Sequence, residues 1–208
     1  MICLNQLNPL NQCSITSMLN KKYLAALRKN TLTYATTRRD VIKISDDALH
    51  HAKRAIFAMH RDEMKEAKAK LKQVETGLKS VKKKFAKTPK AMGEGAYKAA
   101  LEEYVEARLF LDFLENKKIG EIKEINIPEE IYLAGLCDVP GELYRYAIKA
   151  ATEGDVETVK RCAEVGSLIV GELIEFNLTK YLRNKFDQAK GAVQKLEHTV
   201  YEVSVRMN

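Results

Sequence analysis

The sequence predicts an all-α protein, an antiparallel bundle of about seven helices with no convincing β-strand. Two regular apolar repeats, one in the middle of the chain and one at its end, are typical of long packed helices. Only four prolines and ten glycines occur among 208 residues, which argues against a loop-rich all-β fold. A chain of this length should form one domain with a sizeable core, and we place that domain at residues 36–208.

Residues 1–35 are expected to be poorly structured or to lie outside the main domain. The first twenty are Asn-rich and lack both the basic start and the continuous apolar core of a signal peptide. No apolar run reaches the roughly 18 residues that a membrane-spanning helix requires. The four cysteines form no Cys-x-x-Cys pair, which fits a reducing compartment. We therefore expect a soluble, cytoplasmic protein without membrane contact.

The first two helices of the domain are predicted from their spacing of apolar residues. One runs from about Thr37 to Met59, and the next has a heptad pattern from Met64 to Phe85. Residues 61–90 carry eleven basic and four acidic residues, a net charge of +7 that equals the charge of the whole chain. Such a segment attracts phosphate groups, although a solvated helix face would look the same.

The helix predicted at residues 101–114 carries two carboxylates on its apolar side. At 100° per residue, Glu103 and Glu106 fall on the side of Phe110, whereas Arg108 points away. Like charges one turn apart repel by roughly 0.2–0.5 kcal/mol on an exposed helix, and burial raises this cost. A divalent cation, an arginine or a shared proton would each offset the repulsion, unless both acids simply remain hydrated.

A second acidic pair, Asp138 and Glu142, lies one turn apart in the helix predicted at residues 129–152. Pro140 lies between the two acids and removes a backbone hydrogen bond, which costs about 3 kcal/mol in a regular helix. We therefore expect a kink or a break there. An ion pair with Arg145, on the same face, would give these acids a purely structural role.

Two further helices are predicted to complete the chain. Gly154 and Asp155 should end one helix and cap the next, which runs to about Phe176. The last helix starts near Leu178 and repeats apolar residues every three or four positions as far as Val203. It should pack along another long helix, of the same chain or of a neighbouring subunit.

The two acidic pairs together place four carboxylates on two helices of a basic protein. Such all-oxygen donors favour a hard cation such as Mg²⁺ or Mn²⁺, which stabilises charge in phosphoryl transfer and activates water. A di-iron site would require Glu-x-x-His motifs, and neither pair has its histidine. The residues alone therefore favour metal-dependent chemistry on a polyanionic substrate.

Several motifs of this chain resemble the translin family, and within it the branch of translin-associated factor X. The resemblance covers about residues 36–206. It is carried by Lys53-Arg54-Ala55-Ile56-Phe57-Ala58-Met59-His60-Arg61, Glu103-Tyr104-Val105-Glu106-Ala107, Asp138-Val139-Pro140-Gly141-Glu142-Leu143 and Tyr201-Glu202-Val203-Ser204-Val205-Arg206. Pro140 departs from the pattern, because the family is expected to have a threonine or a similar residue there.

This resemblance implies an all-α, translin-like fold that assembles into a hollow, octamer-like barrel and binds single-stranded RNA and DNA. The factor X branch is similar to a Mg²⁺-dependent endoribonuclease that cleaves single-stranded RNA inside the barrel, with Mn²⁺ as a possible substitute. By residue match, the catalytic acids would be Glu103, Glu106, Asp138 and Glu142, with Glu106 and Glu142 as direct metal ligands.

The remaining expectations concern nucleic-acid contacts and partners. His60, Arg61 and Arg145 are the candidate nucleic-acid contacts, and each could equally be a structural ion-pair partner. The assembly would be a homo-oligomer or a hetero-oligomer with a translin-type subunit. The alternative is a non-catalytic protein that binds single-stranded nucleic acid, in which cations such as Arg145 or Arg108 neutralise the acids.

Overall fold

A computed structural model describes residues 19–206, and most of that range is α-helical. No β-strand occurs within these residues, so the predicted all-α class is confirmed. The helices are α1 (Lys21–His60), α2 (Met64–Phe85), α3 (Pro89–Met92), α4 (Gly95–Leu114), α5 (Glu129–Glu153), α6 (Val156–Ile174) and α7 (Lys180–Arg206).

Helix α1 begins at Lys21, well before the predicted start at Thr37. Residues 21–35 are therefore helical, which corrects the expectation of poor structure for this part of the chain; residues 1–18 lie outside the described residues. The segment contains good helix formers such as Ala25 and Ala26. Its side chains are mostly exposed. It therefore lacks the buried stripe on which the prediction of helices depended.

Contacts divide the chain into two units, one ending at Asp40 and the other beginning at Val41. The second unit has one hydrophobic core, to which α2 and α7 contribute along the predicted heptad stripes. The buried residues of these stripes are Ala67, Leu71, Val74, Leu78 and Val81 on α2 and Phe186, Ala189, Val193 and Leu196 on α7. Within the described residues, no helix is long and apolar enough to cross a membrane.

Helices α4 and α5 are consecutive in sequence and yet run in the same direction. Gly135 of α5 lies against Val105 of α4, and further along both helices the ring of Tyr146 is 6.0 Å from that of Phe110. The irregular segment at residues 115–128 makes this possible, because it is long enough to return along α4. This pair is an exception to the antiparallel order that the sequence predicted.

Gly135 allows α4 and α5 to approach each other closely. A Cβ at this position would lie 2.7 Å from the carbonyl oxygen of Glu102 and 2.7 Å from Cβ of Val105. Real side chains do not tolerate such distances, so only glycine fits this crossing without displacing a helix. The close, parallel pairing brings the acids of α4 beside those of α5 in the same order along both helices.

Of the two outcomes expected at Pro140, the break does not occur, because α5 continues as one helix from Glu129 to Glu153, and the kink stays a prediction. A proline removes a single backbone hydrogen bond. Helix α5 offsets that loss by packing against α4, α6 and α7 at once. Asp138 and Glu142 therefore stay on one continuous helix, about 6 Å apart along its axis.

Candidate functional site

The four predicted acids come together where α4 lies beside α5. Glu103 and Glu106 project from α4, and Asp138 and Glu142 project from α5. We call these four residues the acid cluster. All are partly buried, and their charges act on one another.

Glu106 is the member of the cluster that is most affected by its surroundings. Burial, together with the charges of Asp138, Glu103 and Glu142, raises the pKa of Glu106 to about 9, and the charge of Lys185 opposes this rise only in part. Among the described residues, none forms a hydrogen bond or an ion pair with the Glu106 carboxylate. Without a bound cation, this carboxyl group therefore keeps its proton at neutral pH.

Lys185 of α7 neutralises one side of the cluster. Its Nζ forms an ion pair with Asp138 and lies 2.6 Å from Oε1 of Glu102, with the side chains of all three only about one-fifth exposed. Burial acts to lower the pKa of Lys185, but the hydrogen bonds to Asp138 and Glu102 outweigh it and raise that pKa. The hydroxyl of Tyr181, one turn earlier on α7, donates to Glu102 at 2.7 Å.

His60 and Arg145 contact the other side of the cluster through Glu142. Nε2 of His60 lies 2.5 Å from Oε2 of Glu142, and its buried ring packs 5.0 Å from the ring of Phe110. Nη1 of Arg145 lies 3.9 Å from the same carboxylate oxygen. His60 is thus an internal partner of the cluster and has little surface to offer a nucleic acid.

Glu103 has a weaker partner, the Nζ of Lys53, at 3.8 Å. Burial raises the pKa of Glu103, and the Lys53 charge only partly opposes that effect. Burial likewise raises the pKa of Asp138, against the hydrogen bond from Lys185. Burial thus favours the protonated form of both carboxyl groups.

The donor chemistry of the cluster fits a hard divalent cation, since four carboxylates are close together and one of them is unpaired. In this structure the four carboxylates do not form a complete set of metal ligands. Among the residues that the structure describes, no three His, Cys, Asp or Glu side chains converge as a ligand group. Lys185 and His60 instead hold Asp138 and Glu142 by direct contacts.

Sequence reasoning identified the four acids but missed Glu102, Lys53, Lys185 and Tyr181, which contact them or their partners. A faint signal existed for Lys53, which lies one turn before Phe57 in the family-like segment of α1. No signal existed for Lys185 or Tyr181, because α7 approaches the cluster only in the folded chain. Arg61 was predicted as a nucleic-acid contact, and the structure shows it exposed, donating to Glu63 at 2.6 Å.

The all-helical fold and the paired acids define the class of this protein: a helical bundle in which two parallel helices carry an acidic site. A model described as the Translin family matches residues 36–207. The chain belongs to the translin family.

Two curated relatives are similar to this chain over most of its length. Translin-associated protein X of Rattus norvegicus is 24% identical over 220 residues, which cover 82% of this chain and 74% of that protein. An uncharacterized protein of Methanocaldococcus jannaschii is 27% identical over 165 residues, which cover 77% of this chain and 73% of that protein.

Solved structures with the same fold include AfC3PO, alone and in complex with duplex RNA. The crystal structure of AfC3PO is 26% identical, with a TM-score of 0.82, and the match covers 89% of this chain and all of that one. Its complex with duplex RNA is also 26% identical, with a TM-score of 0.80, and the match covers 88% of this chain and 97% of that one. Apo-NeC3PO has the same fold at 21% identity and a TM-score of 0.79, over 89% of this chain and 98% of that one.

Proposed function

We propose that this protein is a Mg²⁺-dependent endoribonuclease that cleaves single-stranded RNA at the acid cluster. The observation that carries the proposal is Glu106, a carboxylate with no paired cation among three other carboxylates. If these acids served only stability, an apolar or neutral side chain at position 106 would make the fold more stable than Glu106 does. A site that binds a cation keeps such an acid, because the cation offsets the repulsion.

The proposed assignment of ligands follows the chemistry of the donors. Glu106 and Glu142 would hold Mg²⁺, with Glu103 and Asp138 completing the site directly or through water. A bound Mg²⁺ stabilises charge on a phosphoryl group and lowers the pKa of a bound water. Mn²⁺ prefers similar oxygen ligands and should substitute for Mg²⁺.

Three basic side chains would then support the acids and the substrate. His60 fixes the carboxylate of Glu142 through a short hydrogen bond, so that this ligand is held in one orientation. Lys185 fixes Asp138 in the same way and keeps a positive charge at the cluster, where a phosphate would lie. Arg145 is half exposed beside Glu142 and can bind a phosphate oxygen.

The nucleic acid and the assembly are part of the same proposal. The duplex RNA complex of AfC3PO supports RNA binding by this fold, and the preference for single-stranded RNA or DNA is our inference for this chain. We place the acid cluster inside a hollow, octamer-like assembly, formed by this chain alone or together with a translin-type subunit. The net charge of +7 favours any of these polyanionic partners.

A second candidate function is binding of single-stranded nucleic acid without cleavage. It is favoured by the contacts that already engage three of the four acids: ion pairs of Lys53 with Glu103 and of Lys185 with Asp138, and the hydrogen bond between His60 and Glu142. In that case the acids hold the helices together. Binding would depend strongly on salt concentration and need no divalent cation.

The test is cleavage of an end-labelled, single-stranded RNA by purified protein in Mg²⁺ or in chelator. Wild type should cleave only with Mg²⁺, and Glu106→Gln and Asp138→Asn should each reduce the rate by about 10- to 100-fold or more. Glu157→Gln is the matched control, because that acid lies exposed at the start of α6. RNA binding without cleavage in every reaction would instead support the non-catalytic function.

A further inference from the structure

Two exposed aromatic rings border the acid cluster, one at each end. Phe57 of α1 is 53% exposed, and Tyr181 of α7 is 52% exposed. Single exposed apolar residues are common and need no explanation by themselves. These two differ because each contacts a cation that pairs with an acid of the cluster: Phe57 contacts Arg145, and Tyr181 contacts Lys185.

Phe57 is linked to the cluster through Arg145. The guanidinium carbon of Arg145 lies 4.7 Å from the centre of the Phe57 ring, and Arg145 also reaches Glu142 at 3.9 Å. Arg61 lies over the same ring at 5.9 Å. An aromatic ring flanked by two half-exposed guanidinium groups presents flat, cationic surfaces to solvent.

Tyr181 is linked to the opposite end through Glu102 and Lys185. Its hydroxyl donates to Glu102 at 2.7 Å, and Nζ of Lys185 lies 5.6 Å from the centre of its ring. Lys185 also pairs with Asp138. The polar edge of Tyr181 is therefore fixed at the acids, while half of its surface stays open.

The order of contacts along the helices puts the acids between the two rings. On α5, Asp138 lies at the Tyr181 end and Glu142 at the Phe57 end, about one helical turn or 6 Å apart. One turn is of the same order as the spacing of neighbouring phosphates in a single strand. The two rings therefore lie at opposite ends of a row of acids about one nucleotide long.

We propose that Phe57 and Tyr181 are stacking platforms for two unpaired bases, which hold the intervening phosphodiester against the acid cluster. Unpaired bases stack on aromatic side chains and on arginine planes, whereas bases inside a duplex already stack on each other. The platforms thus explain how this site selects single-stranded RNA. This inference rests on the proposed function for its substrate, but it concerns binding and not cleavage.

The test measures binding in chelator, where cleavage is absent, with three probes of equal length. These are a fluorescent single-stranded RNA, the same strand with abasic positions, and a duplex. Phe57→Ala and Tyr181→Ala should each weaken binding of the intact strand by about 5- to 100-fold. This range corresponds to the binding free energy that one base gains by stacking on an aromatic ring. Binding of the abasic strand and the duplex should change by less than about 2-fold.

A conservative variant and a matched control variant separate the loss of base stacking from other effects of a substitution. Phe57→Trp should retain binding of the intact strand, because indole offers a larger stacking surface. Phe176→Ala is the matched control, since Phe176 is 54% exposed at the end of α6 and contacts none of the acids. Its binding of all three probes should equal that of wild type.

Three results would overturn the proposal. One is unchanged binding of the intact strand in both alanine variants, and another is equal weakening for the intact and abasic strands. The third is loss of the oligomer in the alanine variants, seen by light scattering, together with equal loss of all probes; the rings would then be subunit contacts. A protein that binds as expected but never cleaves RNA would refute the nuclease and leave the platforms standing.

Discussion

At the scale of single residues, Glu106 is the member of the acid cluster on which the proposed function depends. Lys185, His60 and Lys53 each pair with one of its neighbours, and Glu106 alone keeps an unpaired carboxyl group. Its pKa of about 9 means that this carboxyl group keeps a proton at neutral pH in the absence of a cation. A buried acid without a paired cation lowers stability at high pH, so this position is not optimised for stability.

The raised pKa of Glu106 predicts how stability changes with pH in chelator. The unfolded chain releases this proton near the ordinary pKa of about 4.5, whereas the folded chain keeps it up to about 9. Stability from this group is therefore complete below about pH 4.5 and falls as the pH rises towards 9. In Glu106→Gln, the free energy of unfolding should decrease less as the pH rises. At pH 8 this variant should be more stable than wild type by about 1 kcal/mol or more.

Thermal unfolding in chelator across this pH range is the appropriate measurement. Glu157→Gln is the control for the change of side chain, since this exposed acid should leave the pH profile as it is. A Glu106→Gln variant that is less stable than wild type at pH 8 would show that the carboxylate has a stabilising partner after all.

Sequence reasoning could identify the acids but not the cations that hold them. Glu103 and Glu106 were found because a helical period puts them on an apolar face, which depends only on neighbours in sequence. Lys185 and Tyr181 are about forty residues from the acids of α5, and only tertiary packing brings them together. Phe57 lies in a predicted segment, but its exposure became visible only in the folded chain.

At the scale of helices, the close crossing of α4 and α5 at Gly135 aligns the two pairs of acids. The heptad stripes of α2 and α7 were predictable, because a repeat of buried residues defines a packed helix. The parallel course of α4 and α5 was not, since the segment at 115–128 has no pattern that fixes a direction. The local sequence at Pro140 allowed either a kink or a break, and packing of α5 against its neighbours offsets the local cost of proline and keeps the helix continuous.

Two glycine substitutions in α5 test the role of this crossing. Gly135→Ala should destabilise the protein by about 1–3 kcal/mol, because its Cβ would overlap the backbone of α4. RNA cleavage should fall as well, since α4 carries Glu103 and Glu106 away from Asp138. Gly141→Ala, in the same helix with nothing within 4 Å of its Cβ, should instead stabilise by about 0.5–1 kcal/mol.

Chemical denaturation and the cleavage assay on both variants give the comparison. Equal stability of Gly135→Ala and Gly141→Ala would mean that the helices adjust at no cost, and the crossing would then not position the acids.

At the scale of the whole molecule, one small site is assembled from four distant parts of the chain. Residues 53–60 of α1, 102–106 of α4, 138–145 of α5 and 181–185 of α7 all contribute. A basic chain with a net charge of +7 thereby carries a concentrated patch of acids. In the proposed function, the net positive charge would attract a polyanion and the acids would hold a cation, a combination that suits phosphodiester cleavage.

The central claim is that the acid cluster binds a divalent cation, and Mn²⁺ binding followed by electron paramagnetic resonance tests it most directly. Free Mn²⁺ is counted while wild type, Glu106→Gln and Glu157→Gln are titrated under the same conditions. We predict that wild type and Glu157→Gln bind Mn²⁺ in the same amount, with Mg²⁺ competing, and that Glu106→Gln weakens this binding by about 10-fold or more. Equal binding by all three proteins, or binding by none, would contradict the account and leave the acids as an ion-paired network.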